Sequence, residues 1–281
     1  EKCAKILAAV QNTSAQVVEV NKAYKKTFPP QLYNLTELQR DANKLFSFSA
    51  KETLAIMQRL YENHKVLTYP RTDSRFISTD IVDTLKDRVR ACGQGPYRAK
   101  TLLILKNPIK ANKSFVDNSK VSDHHAIIPT EEPVILGALS DKERKIFDLV
   151  VKRFLAALYP PFEYEQTTIR VKIGEQFFIA RGKIVLKQGW KEVYENNFED
   201  DDGEEEKDTL AEQTLPQLNK GDILKISSIK QTSGETKPPP LFNEGSLLAA
   251  MEKPTRYMSG DNKDLLKIIG ETGGLGTVAT R

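Results

Sequence analysis

The hydrophobic period changes at Pro160-Pro161, and that change limits the possible folds more than any other feature. Before it, apolar residues recur at helical spacing. Leu54, Met57 and Tyr61 form one row, Ile56 and Leu60 another. Ile146, Phe147, Val150, Val151, Phe154, Leu155 and Leu158 form a longer stripe. Such rows predict amphipathic helices with these residues in the core. Thr36–Gln39, Ser49–Glu52 and Ser140–Glu143 fit the Ser/Thr-x-x-Glu/Gln capping box and predict helix starts. Thr79 is a further candidate cap, for a helix with Ile81, Leu85 and Val89 that ends at Gly93 and Gly95-Pro96. Asn63 is a plausible stop for the second helix. Residues 112–123 read as irregular.

Beyond the prolines the period is two. Gln166–Ile173 and Gln176–Arg181 alternate and are joined by Gly174-Glu175, a hairpin signal. Lys183–Leu186 and Asp222–Ile229 read as further strands, and Ala15–Val20 as an earlier one closed by Phe28-Pro29-Pro30. Thr236–Pro240 reads as a stiff linker, followed by helical pieces at Glu244–Glu252 and Asp261–Ile269. The expected fold is multidomain α+β. A helical unit at 30–162 is inserted between β-rich parts at 1–29 and 163–240, and a helical piece at 241–281 follows.

A hydrophobic fraction of 39% with 28% charged residues suits a soluble globular chain of 281 residues. No stretch nears the ~20 apolar residues of a membrane helix, and no secretory leader opens the chain. The absence of an initial Met and the ending at Thr280-Arg281 suggest a piece of a longer protein. Cys3 and Cys92 lie too far apart in sequence for a Cys-x-x-Cys zinc pair and read as reduced thiols, hence a cytoplasmic setting. Residues 195–208 hold nine acids and one lysine, so the rest of the chain carries +12 (+4 minus −8). A basic body fits a polyanion such as nucleic acid. The acidic run reads as a solvated loop.

The run His64–Arg75 carries the most chemistry. Pro70 pushes Tyr69 toward extended backbone. In an extended run alternate residues share a face, so Tyr69, Arg71 and Asp73 are expected to point together. With a pKa near 10, only about one phenol in a thousand is ionised at pH 7. A fixed cation favours the phenolate, and arginine also grips phosphate bidentately. Asp73 either orients Arg71 by pairing with it or caps the following turn. A surface Tyr-Pro turn is the plain alternative.

Two other runs add to this. Asp123–Thr130 contains His124 and His125; one imidazole is expected to enter a site and donate to phosphate or shuttle a proton. No further His or Cys ligands are spaced to make the pair a metal site. Gly273–Arg281 offers turn amides, Thr277, Thr280 and Arg281 as a phosphate cradle, though it lacks the Gly-Lys-Ser/Thr of a P-loop.

Together these runs resemble the type IA DNA topoisomerases, in their topoisomerase III form. The resemblance rests on Tyr69–Ser74, His124–Thr130, Leu35–Gln39, Gln58–Glu62 and Gly274–Thr277, in the expected order along nearly the whole chain. It implies a helical gate domain inserted into a β-rich arch, plus part of a helical base. It implies transient cleavage of one DNA strand through a 5′-phosphotyrosyl bond, strand passage and resealing without ATP. Tyr69, Arg71 and His124 take the catalytic roles, with Asp73 and His125 supporting. Lys65, Arg75, Thr277, Thr280 and Arg281 contact DNA. Val278 departs from the family's usual Pro. The resemblance places Mg²⁺ in a Toprim-type acidic cluster not found in this sequence, so this piece alone is expected to bind single-stranded DNA weakly and not to relax supercoils. A monomeric, nucleoid-associated protein is expected. The rivals are a passive nucleic-acid-binding module and a tyrosine recombinase. The recombinase attaches to the 3′ phosphate and needs a His-x-x-Arg segment before its tyrosine, which is absent here.

Overall fold

The chain runs α1 (Lys2–Val10), β1 (Ala15–Thr27), α2 (Leu35–Phe46), α3 (Ala50–Glu62), α4 (Leu85–Ala91), α5 (Arg98–Leu105), α6 (Asp141–Ala157), β2 (Phe162–Ile173), β3 (Gln176–Lys187), β4 (Ile223–Leu224) and α7 (Glu244–Glu252). The structure is a computed structural model and describes residues 2–10, 13–195, 214–257, 265, 267–269 and 274–277. Most of the acidic run and of the Asp261–Ile269 helix reading, with Val278, Thr280 and Arg281, therefore lies outside the described residues. The chain divides into two compact units, Glu1–Phe28 with Pro160–Pro239, and Pro29–Tyr159 with Pro240–Arg281.

The first unit is an antiparallel four-stranded sheet in the order β3-β2-β1-β4. The strand expected at Ala15–Val20 extends to Thr27, because Asn21–Thr27 pair in register with Thr168–Phe162. Ladder bonds outweigh the poor β-propensity of that Lys-rich stretch. Lys183–Leu186 is part of β3 rather than a separate strand. The strand expected at Asp222–Ile229 shrinks to Ile223–Leu224. Ile226 and Ile229 instead pack on the core of Val10, Ala15 and Ile173. Trp190 is buried, and its indole N–H donates to the Thr27 carbonyl at 3.0 Å, fastening the end of β1.

The second unit is helical. The stripe on α6 is buried, and Ser140 and Glu143 form the complete capping box expected of them. Ser49 caps α3 by accepting from the Glu52 N–H, and Asn63 follows the helix. α2 starts earlier than expected. Asn34 caps it by accepting from the Glu37 N–H at 2.8 Å, while Thr36 is buried inside the first turn. Thr79 caps no α-helix; it opens a 3₁₀ turn, Thr79–Thr84, that leads into α4. Helix α5 lies where the sequence pattern predicts no helix. α7 packs on α2 and meets the start of α3: Glu244 accepts from the Ala50 N–H at 2.7 Å, and the Gly245 N–H donates to Asn43 at 3.3 Å.

Two ion clusters, each built on one buried member, Arg153 and Glu143, tie these helices together. Arg153 of α6 donates to the Asp41 carboxylate at 2.7 Å, the Tyr33 hydroxyl at 3.0 Å and the Gln31 carbonyl at 3.2 Å. Glu143 accepts from the Arg59 guanidinium at 2.9 Å, linking α3 to α6, and His64 Nε2 lies 3.6 Å away. Burial pushes the Glu143 carboxyl up. The Ser140 backbone N–H, Arg59 and the Ser140 hydroxyl outweigh that and hold it at about 2, against an ordinary value of 4.5. A depressed carboxyl contributes stability above its unfolded pKa and loses it as pH falls toward the folded value. Wild type should therefore melt higher than Glu143→Gln at pH 7, and the gap should close between pH 4.5 and about 2. Melting curves with a pH-independent gap would rule out the carboxylate charge as its source.

Among the described residues, no helix is long and apolar enough to cross a membrane.

Candidate active site

Three segments of the second unit meet edge to edge. The run from Val66 to Ile77 pairs with the His124–Thr130 loop: the Thr68 N–H donates to the Ile128 carbonyl, the Thr130 N–H to Val66, and the Ala126 N–H to Phe76. The segment before α2 joins both. The Ile127 N–H donates to Tyr33, and the Leu35 N–H to Thr72. Ala126, Ile127 and Ile128 are buried beneath, so the loop's apolar half anchors it and leaves His124 at the surface. Two hydroxyls clamp the arrangement. Thr72 donates to the His124 carbonyl at 2.9 Å, and Thr68 to the Ala126 carbonyl at 3.3 Å.

Tyr69 is half-buried in this frame. Its ring centroid lies 4.3 Å from that of His124, with the planes tilted by 37°. On another side Tyr61 meets it edge-on at 5.6 Å. Stacked and edge-on rings at these distances each hold an aromatic side chain in place. Among the described residues the Tyr69 hydroxyl makes no hydrogen bond. Tyr61 was expected in the core with Leu54 and Met57, but it is 38% exposed and supports Tyr69 instead.

Beside His124 lies an open groove of about 250 Å³, lined by Arg71, Thr72, Asp73, Ser122, Asp123, His124 and Thr277. Arg71 is the one guanidinium lining it among the described residues, and it pairs with no carboxylate there. Both readings of Asp73 fail among the described residues: its carboxylate neither pairs with Arg71 nor caps a turn. Its main chain does the anchoring, the carbonyl accepting from Asn34 at 3.2 Å. The turn that follows is closed by hydroxyls, Thr72 accepting from the Ser74 N–H and Ser74 from the Phe76 N–H, each at 3.1 Å. The shared face of Tyr69, Arg71 and Asp73 also needs correction. The Thr72 N–H donates to the Pro70 carbonyl at 3.1 Å, a three-residue turn centred on Arg71 that breaks the period of two. Arg71 and Asp73 line the groove, and Tyr69 reaches its edge through His124.

His125 faces elsewhere. Its Nδ1 lies 2.7 Å from the Ala126 carbonyl, so that nitrogen carries the hydrogen. Burial pushes its pKa below the ordinary 6.5, which keeps it neutral at pH 7. Arg75 was expected on DNA, yet its guanidinium is held by Glu37 at 3.1 Å and Glu252 at 3.3 Å. It fastens α7 to this region rather than presenting a free charge. Lys65 is exposed with a left-handed backbone (φ 57°), and its carbonyl accepts from the Thr130 hydroxyl. Thr277 reaches the groove because the tail docks on α7, the Leu275 N–H donating to the Met251 carbonyl at 2.7 Å. Thr72 and Thr68 were missed as site residues. Their places inside and beside the Tyr-Pro-Arg run were the available signal.

Comparison with known proteins agrees along the full length of the chain. A family model described as DNA topoisomerase matches residues 1–281. A DNA topoisomerase 3 of Bacillus cereus is 63% identical over 281 residues, and that of Bacillus subtilis (strain 168) is 57% identical over 277 residues. These matches cover 100% and 99% of this chain, and the chain spans 38% of the length of each relative. Full-length topoisomerase I from Thermotoga maritima shares the fold, with a TM-score of 0.63 at 23% identity over 96% of this chain and 42% of that one. Given a family model matched over every residue and relatives more than half identical, the chain belongs to the type IA DNA topoisomerases.

Proposed function

We propose that this chain supplies the tyrosine half of a DNA strand-cleavage reaction. Tyr69 Oη attacks a DNA phosphorus, an Oη–P bond forms, and the P–O3′ bond breaks. The phenol proton is released and the departing 3′ oxygen takes up a proton. The phosphotyrosyl bond conserves the energy of the phosphodiester, so resealing by the 3′ hydroxyl needs no ATP. Arg71 holds the phosphate and offsets charge building on its oxygens. His124 keeps the phenol ring in place and presents a ring N–H to a phosphate oxygen. Thr277 extends the cradle, and Thr280 and Arg281 continue it. Asp73, His125 and Arg75 keep the frame in shape, and Lys65 contacts the DNA backbone beside it. The observation that carries this reading is a half-buried phenol held between two rings, its hydroxyl unclaimed among the described residues, beside a groove with one unpaired guanidinium.

In this reading, residues 30–162 form a helical gate carrying the tyrosine, 1–29 with 163–240 a β-rich arch, and 241–281 part of a helical base. What supports the gate and arch is the division of the chain near Phe28 and Pro160; residues 240–281 group with the helical unit rather than apart from it. The substrate is single-stranded DNA and the protein works as a monomer, associated with the nucleoid. Type IA enzymes generally use Mg²⁺. Among the described residues no group of three or more His, Cys, Asp or Glu could hold a metal ion, so no step above runs through one.

The test is which DNA end carries the protein. Denaturing a full-length enzyme containing this chain in mid-reaction, on end-labelled oligonucleotides, should leave it on the 5′ phosphate through Tyr69. Attachment to the 3′ phosphate would point to recombinase chemistry. Binding without any adduct would leave the passive module.

A further inference from the structure

The two faces of the first unit's sheet differ in a way the cleavage chemistry does not use. The register assigns each strand residue to a face, because alternate side chains point to opposite sides. One face carries Ala15, Val17, Ile169 and Ile173, all buried. Its three lysines are set against two carboxylates within the sheet: Lys22 lies 3.8 Å from Glu165, and Lys26 and Lys187 lie 3.3 Å and 3.0 Å from Glu163.

The other face is open. From Tyr164 to Lys172, every β2 residue on it is half-buried or exposed. It carries Lys25 of β1, Arg170 and Lys172 of β2, and Arg181 and Lys183 of β3, against the single strand carboxylate Glu19. Lys172 also meets the hairpin's Glu175 at 3.2 Å. Aromatic rings sit among these cations. The Arg170 guanidinium lies 4.1 Å over the Phe177 ring, and Lys183 lies 4.9 Å over the Tyr164 ring. Phe177 is 52% exposed although it is a large apolar ring.

We infer that this open face is a second nucleic-acid contact and that its occupant is a single DNA strand. A surplus of basic over acidic residues across three adjacent strands suits a polyanion. Rings and a planar guanidinium set among the cations suit unpaired bases, which stack on such surfaces; a duplex keeps its bases internal and can use only the charges. That the polyanion is DNA rests on the proposed function, whereas the charge and ring pattern stands without it.

The test is binding of this 281-residue chain to a labelled oligo-dT strand, followed by fluorescence anisotropy over a range of salt. Combining Lys25→Gln, Arg170→Gln and Lys183→Gln should raise Kd about tenfold and flatten the salt slope by about 2, at roughly 0.7 per lost phosphate contact. Combining Lys22→Gln, Lys26→Gln and Lys187→Gln removes the same charge from the opposite face and should change Kd less than about twofold. Circular dichroism checks that both remain folded. The charge-keeping pair Lys25→Arg and Lys183→Arg, which leaves the Arg170 guanidinium on the Phe177 ring, should bind as wild type, so the loss follows charge rather than a changed side chain at these positions. Equal weakening by both neutralising sets, or by neither, would overturn the assignment. Duplex binding as tight as oligo-dT and equally weakened would overturn the single-strand occupant. Covalent adduct formation by a full-length enzyme is a separate readout, so failure here and failure of the cleavage chemistry are separately visible.

Discussion

Tyr69→Phe in a full-length enzyme should abolish the covalent DNA adduct while leaving DNA affinity within about twofold. The variant removes one oxygen and keeps the ring, so the contacts with His124 and Tyr61 survive. That oxygen makes no hydrogen bond among the described residues. Folding stability should therefore change by less than about 0.5 kcal/mol. The chemistry, by contrast, loses its nucleophile. Removing a catalytic nucleophile costs on the order of 10⁴-fold or more in rate. Adduct trapping on denaturing gels and melting curves measure the two arms separately. Cleavage that persists would dismiss Tyr69. A variant that also melts much lower would mean the hydroxyl holds the fold, and the loss of activity would then carry no chemical message.

Arg153→Ala should give the largest loss of stability. The side chain is buried and serves three separate acceptors, Asp41, Tyr33 and Gln31. Its guanidinium also stacks 4.1 Å over the Tyr33 ring. Truncation strips the guanidinium from Asp41, a half-buried carboxylate that keeps the Tyr33 hydroxyl as a donor, so the loss should be about 3 kcal/mol, the low end for a broken buried pair. For a unit of this size that corresponds to a fall in Tm of about 9 °C. The effect should reach the site. Tyr33 receives the Ile127 N–H, and Leu35, two residues on, donates to Thr72. Loosening the 31–35 segment therefore loosens both partners of the Tyr69–His124 stack. Adduct formation should fall in step with the folded fraction as temperature rises, and a constant ratio of activity to folded protein would show this. An unchanged Tm would mean that the cluster's desolvation cost cancels its attraction.

Much of the secondary structure was legible because it depends on near neighbours. Ser49 and Ser140 cap helices through residues three positions on, and the Gly174-Glu175 turn joins two strands that pair with each other. The misses share one cause. The start of α2 passed from Thr36 to Asn34 because the segment before it is pinned by Thr72, Ile127 and Asp73, distant in sequence. β1 outran its apolar pattern because β2, far along the chain, supplied its ladder. Tyr61 kept helical spacing yet left the core, since whether a helical position is covered depends on what packs against it.

The sequence alone determined the parts: a tyrosine before proline, an arginine two residues on, a histidine pair, a basic body, and the family they imply. Residue types and their spacing are local, and a motif is a local fact. Tertiary structure alone decided the arrangement: that Tyr69 stacks on His124 rather than sharing a face with Arg71 and Asp73, that Arg71 pairs with no described carboxylate while Arg75 is held by two, and which sheet face stays open. These are outcomes of packing between segments far apart in the chain. Side-chain direction and charge pairing are set there by neighbours that no local pattern names.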